Sequence, residues 1–213
     1  MQDDITQSRR GAPATGHDDR QVAHLRAFRA YWESLRKGHD LPRRSDIDPR
    51  RIEPLLHNAF VVERIAPGAT RLRVAGTHLG DLMGMEVRGM PLSCLVAPDG
   101  RDDFALRLVE LFDAPAALRL DLRSPGGLGR PEMTGTLILL PLRSDLGDVS
   151  RALGCLVTRG GIGRPSRRFG IVAARAEPLG RHQATGLRAL GGGIAVLADG
   201  AAVRSRAHLR VVR

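Results

Sequence analysis

A single helix followed by a stiff arm sets the first constraint on how this chain can fold. Val22, Leu25, Phe28, Trp32 and Leu35 recur at spacings of three and four, which places them on one face of a helix. The same segment holds the only Tyr and the only Trp, Tyr31 and Trp32. Gly38 is a natural stop, and Pro42, Pro49 and Pro54 then restrict the backbone within thirteen residues. A helix with so apolar a face must bury it, and so stiff a connection leaves few return paths. The segment is expected to pack as an arm, its helix running from Gln21, after an Asp18 or Asp19 cap, to near Gly38. Phe28, Trp32 and Leu35 are the candidate interaction surface. They either cover the domain or meet a second copy of the chain in a homodimer.

Composition narrows the function classes. At 213 residues and 42% hydrophobic, the chain can bury one sizeable core and still carry extensions. Aromatics are only 3%, too few for a base-stacking platform, so nucleobase readout is disfavoured. No apolar run approaches the roughly 18 residues of a membrane span. Met1-Gln2-Asp3-Asp4 does not open a secretory signal, so a cytoplasmic protein without membrane insertion is expected. Cys94 and Cys155 stand alone and far apart, as reduced core thiols would.

The net charge of +10 is unevenly placed. Residues 1–158 hold 22 Lys and Arg against 21 Asp and Glu, whereas residues 159–213 hold 11 against 2. The charge therefore belongs to an Arg, Gly and Ala-rich extension over 160–213. It supplies the alternative reading, a regulator that binds nucleic acid or an anionic surface through its basic tail.

Residues 1–20 lack an apolar period and are expected to be disordered. The arm occupies 21–56, with a short helix or turn over Arg50 to Leu56. Residues 57–159 then alternate strands with helices. Asn58 to Arg64 and Arg71 to Gly76 read as a hairpin about Pro67-Gly68, and Thr77 can cap a short helix that Gly84 ends. Asp102 and Asp103 open a longer helix carrying Phe104, Leu108, Leu111 and Phe112. Ala117 to Arg123, Met133 to Arg143 and Ala152 to Arg159 are three further strands, with one more strand-like piece at Phe169 to Ala174. The expected class is α+β, a five-stranded antiparallel sheet with helices on one face, an N-terminal capping helix and a basic C-terminal extension.

These residues resemble the single-domain PAS proteins widespread in alphaproteobacteria. The resemblance is carried by Tyr31-Trp32 with Leu35-Arg36 and Gly38, by Pro42 with Asp46-Ile47-Asp48-Pro49, and by Leu55-Leu56. It continues through Arg71-Leu72-Arg73-Val74-Ala75-Gly76-Thr77, the segment from Leu82-Met83-Gly84 to Gly89, and Leu139-Leu140-Pro141-Leu142, covering about residues 24–175. It implies a sensor or interaction module of bacterial signal transduction with signalling proteins as partners. Two features depart from the pattern: His57 stands where a proline is expected, and the tail is longer and richer in Arg.

No catalytic residue is expected, because no nucleophile elbow, zincin helix or P-loop is present. No metal ligand set is legible either. Gly160-Gly161-Ile162-Gly163 reads as a linker. A PAS fold can hold haem through a pocket histidine, so His57 or His78, with Met83, Met85 or Met90 as a thioether, is the one haem arrangement to weigh. Cys94 lies outside any flavin-photosensor motif, which disfavours a flavin. Phe60, Val62, Leu79, Leu82, Met83, Leu95, Phe104 and Leu108 are the candidate ligand pocket between sheet and helices, or else a filled core.

Overall fold

Apolar residues point to both faces of the central strands, and this decides the architecture. A computed structural model describes residues 15–179. Its helices are α1 (Thr15–Ser34), α2 (Thr77–Met83) and α3 (Arg101–Asp113), with short 3-10 turns at Arg44–Asp46, Pro49–Leu55, Leu92–Leu95 and Pro98–Gly100. Its strands are β1 (Ala59–Ala66), β2 (Ala69–Ala75), β3 (Ala116–Ser124), β4 (Met133–Arg143), β5 (Val149–Arg159) and β6 (Gly170–Pro178). They form one antiparallel sheet in the order β2-β1-β5-β4-β3-β6.

Alternation along each strand divides the interior in two. Phe60 and Val62 of β1 point to a core shared with Leu82 of α2, Leu95, and Phe104 and Leu108 of α3. Val61 points the other way, with Ile138, Leu140 and Leu142 of β4 and Leu153 of β5, into a core closed by α1. Phe60 pairs with Gly154 across β1 and β5. A Cβ at Gly154 would lie 2.3 Å from the Phe60 ring, so the ring occupies space that only glycine leaves.

The expected five-stranded sheet has six strands. β6 pairs with β3 from Ala116↔Pro178 to Arg123↔Gly170, so Phe169 to Ala174 begins a full edge strand. The segment leading to it is also built in. Arg164, Arg167 and Phe169 donate backbone N–H groups to the carbonyls of Gly129, Leu82 and Leu95, and Phe169 is fully buried. The part of the expected extension up to Leu179 therefore belongs to the domain. It takes with it Arg164, Arg167, Arg168 and Arg175 of the tail's basic residues. Residues 180–213 lie outside the described residues, as does the expected disorder of residues 1–14.

The helix begins at Thr15, not at Gln21, so residues 15–20, expected to be disordered, are helical and Asp18 and Asp19 fall within the helix. Acidic residues near a helix start favour the positive end of its dipole, an alternative to capping. Gly38, at φ +63°, turns the chain into the arm. Thr77 is likewise the first helical residue of α2, the cap position being held by Gly76.

Three contacts tie α1 across the sheet. Gln21 Nε2 donates to the Thr158 carbonyl at 2.6 Å, the buried Trp32 Nε1 donates to the Pro141 carbonyl at 3.2 Å, and Arg29 forms two bonds of 2.6 and 2.7 Å with the Glu177 carboxylate. Replacing Trp32 by Ala removes the largest buried side chain of this layer and should cost about 3–5 kcal/mol, read as a lower denaturation midpoint. The Arg29 guanidinium, chiefly by hydrogen bonding, holds the Glu177 carboxyl below its usual range. A depressed folded value contributes stability above the unfolded carboxyl's pKa, lost as pH falls through the folded value. Because the Glu177 side chain is 62% exposed, the effect should stay below about 1 kcal/mol. Denaturant midpoints of the natural chain and Arg29→Gln should differ at neutral pH and converge in acid.

Candidate functional site

The arm that follows α1 is pinned before it reaches the sheet. The Tyr31 hydroxyl accepts the Asp48 N–H at 2.8 Å and donates to the Asp48 carbonyl at 3.1 Å, so one side chain holds both backbone groups of that residue. The Asp48 carboxylate accepts the Arg50 N–H at 3.0 Å, which starts the turn at Pro49. The arm then runs across the α1 side of the sheet and joins β1 through His57 and Asn58. Asn58 is locked to β5, its Nδ2 donating to the Leu156 carbonyl at 2.8 Å and its carbonyl accepting the Leu156 N–H at 3.0 Å.

Between arm and sheet lies an apolar groove of about 540 Å³. Ala59, Val61 and Leu153 line it from the sheet, Ile47 and Ile52 from the arm, and Val74 from β2, with Arg44 at its polar margin. Val74 is half exposed, as the wall of an open groove should be. His57 and Thr77 also line it.

The eight expected pocket residues come together, but as a packed cluster. Phe60, Val62, Leu79, Leu82, Met83, Leu95, Phe104 and Leu108 are all buried in the core on the α2 and α3 side. Phe60 alone among them borders the groove. The expected interaction residues also turn inward: Phe28 and Trp32 are fully buried against the sheet, and Leu35 packs partly on the same cluster. Covering the sheet is thus the use α1 makes of this face. None of Met83, Met85 and Met90 lines the groove that His57 borders. Cys94 and Cys155 belong to opposite cores, and burial raises both thiols, Cys155 to about 12, which makes them poor nucleophiles.

Next to the groove the chain gathers groups that stand apart in sequence. Gly76 crosses directly beneath the backbone of Leu56 and His57: a Cβ there would sit 2.2 Å from the Leu56 carbonyl oxygen and 2.4 Å from that of His57. This crossing lets the His78 N–H reach the His57 carbonyl at 3.1 Å and sets the two imidazoles 5.4 Å apart. His57 Nδ1 bonds the Thr77 hydroxyl at 2.5 Å, and His78 Nε2 bonds the Thr158 hydroxyl at 3.0 Å. Asp81, three residues beyond His78 on α2, faces the same corner. Burial is the first cause that lowers the His78 pKa and the proximity of His57 the second, with Asp81 opposing. The same two causes lower His24 on α1, whose Nε2 is buried without a hydrogen-bond partner.

The sequence marks His57 and His78 as candidate haem histidines, but not their meeting with Asp81 and His24, because residues 24, 57, 78 and 81 form no local pattern. The signals in the sequence were His57 at the position where a proline was expected, and the i, i+3 spacing of His78 and Asp81. Gly76→Ala should force the crossing strands apart, at a cost of about 1–3 kcal/mol. It should also shift the ring resonances of His57 and His78, which thermal unfolding and histidine NMR would register together.

Among curated proteins, none matches the chain. Residues 20–157, from α1 into β5, match the family described as PAS domain, and the chain belongs to that family.

Proposed function

We propose that this chain is a non-enzymatic sensory or protein-interaction module of bacterial signal transduction, acting in the cytoplasm on signalling proteins. PAS domains are sensory and signal-transduction modules, which supports the class of this reading. No described helix is long and apolar enough to cross a membrane.

The observation that carries the reading is the position of the groove. Ile47 and Ile52 border the groove and also belong to the cluster that contains Phe28, Trp32 and Leu153. An occupant of the groove therefore touches the residues on which α1 rests. A ligand that prefers one packing of arm and helix would shift the population of that packing, and α1 would carry the change outward. The groove suits an apolar small molecule, or apolar side chains of a partner, with an acidic end near Arg44. The tight cluster around Phe60, Leu82 and Phe104 serves as the rigid base in this scheme. A second copy meeting α1 would use its exposed side, since Phe28 and Trp32 are already buried.

The dye ANS, apolar with one anionic group, tests this directly. It should bind at one site and increase hydrogen-exchange protection across α1. Val74→Gln, a change at a half-exposed position, should weaken binding about tenfold by removing apolar contact. Unchanged affinity in that variant, together with unaltered exchange in α1, would sink the proposal.

A further inference from the structure

His57, His78 and Asp81 each offer one ligand atom, and these atoms lie within 4.8 Å of one another. In a tetrahedral site with bonds of about 2.0–2.2 Å, neighbouring ligand atoms stand about 3.3–3.6 Å apart. The difference is within reach of side-chain rotation. His57 and Asp81 are exposed, and Asp81 can turn its carboxylate toward the two rings, whereas His78 is buried and serves as the fixed member.

The hydrogen bonds engage one nitrogen of each ring, Nδ1 of His57 and Nε2 of His78, and leave the other to a metal. In the tautomer in which each imidazole donates to its threonine hydroxyl, Nδ1 of His57 to Thr77 and Nε2 of His78 to Thr158, the lone pair is left to Nε2 of His57 and to Nδ1 of His78. An imidazole that ligates a metal characteristically donates its other N–H to an oxygen acceptor, which fixes the tautomer and the ring orientation. Each ring has a threonine hydroxyl within reach that can serve as this acceptor. Both threonines are held by the fold itself, Thr77 by the first turn of α2 and Thr158 by β5.

We propose that this corner binds a divalent transition-metal ion of the zinc class through His57 Nε2, His78 Nδ1 and the Asp81 carboxylate. Two imidazoles and one carboxylate suit zinc and its neighbours rather than calcium or magnesium, which favour all-oxygen shells. Three protein ligands leave a coordination position open to water or a small anion. The ion would join the residue at the end of the arm to α2, across the crossing at Gly76. It would thereby clamp the junction beside the groove without depending on whether the groove itself takes a ligand.

Zinc titration of the full chain, followed by calorimetry and thermal unfolding, tests the site. One equivalent of Zn2+ should bind and raise the melting temperature by several degrees. His57→Gln and Asp81→Asn, both at exposed positions, should each weaken binding at least about tenfold, and Thr77→Val about 10- to 100-fold through loss of its outer-shell bond. Co2+ in place of Zn2+ should give visible bands of four- or five-coordination that disappear in the double variant His57→Gln, Asp81→Asn. Either of two results would overturn the assignment: no bound zinc, or undiminished binding by the double variant, which would place the ion on other histidines such as His17, His39, His182 or His208. Loss of ANS binding in Val74→Gln and loss of zinc in these variants can occur separately, so the two readings fail independently.

Discussion

The docking of α1 on the second face of the sheet is the constraint on which the rest of the structure depends. α2 and α3 cover one face of the sheet, but β4 and β5 carry apolar residues on both. Ile138, Leu140, Leu142, Leu153 and Val157 would lie open to water without a cover, and each buried aliphatic side chain is worth about 1.5–3 kcal/mol. Phe28 and Trp32 supply that cover, and the indole N–H avoids an unsatisfied burial by reaching the Pro141 carbonyl. Tyr31 extends the same anchoring to the arm through Asp48. One turn of helix thus holds the sheet and the connection at once.

Because the arm is pinned at Asp48 and again at Asn58, the stretch between spans the outer face of β1 and β5 without filling it. The groove is the space left over. Of its walls, Ile47, Ile52, Ala59, Val61 and Leu153 belong to the second core that α1 also enters. An occupant proposed for the groove would touch side chains on which the docking of α1 also rests.

The histidine corner follows from a different physical cause, the close crossing at Gly76. Two carbonyl groups approach so near that a side chain is excluded, and the backbone bond from His78 to His57 becomes accessible. Thr77, which the sequence suggests as a helix cap, turns its hydroxyl to His57 instead. The cap is surrendered because the adjoining glycine takes that place, and the hydroxyl finds a better partner in the ring nitrogen beside it.

Much of this fold could be read from the residues alone, and the reasons are local. The three- and four-residue spacing of Leu25, Phe28, Trp32 and Leu35 dictates an amphipathic helix, and Pro67-Gly68 and Gly84 mark chain reversals through backbone restrictions that need no tertiary partner. The same alternation that announces β1 shows that Phe60 and Val62 share a face. It does not say whether that face encloses a pocket or a packed core, since packing density depends on what the opposite elements present. β6 was legible only as a fragment, because an edge strand takes its stability from pairing with β3 and not from its own composition. The sequence by itself determined the elements, their polarity and the stiffness of the arm. Only the tertiary structure decided which face Trp32 covers, where a groove remains, and that residues 57, 78 and 81 meet, because those depend on distances between segments that no spacing along the chain encodes.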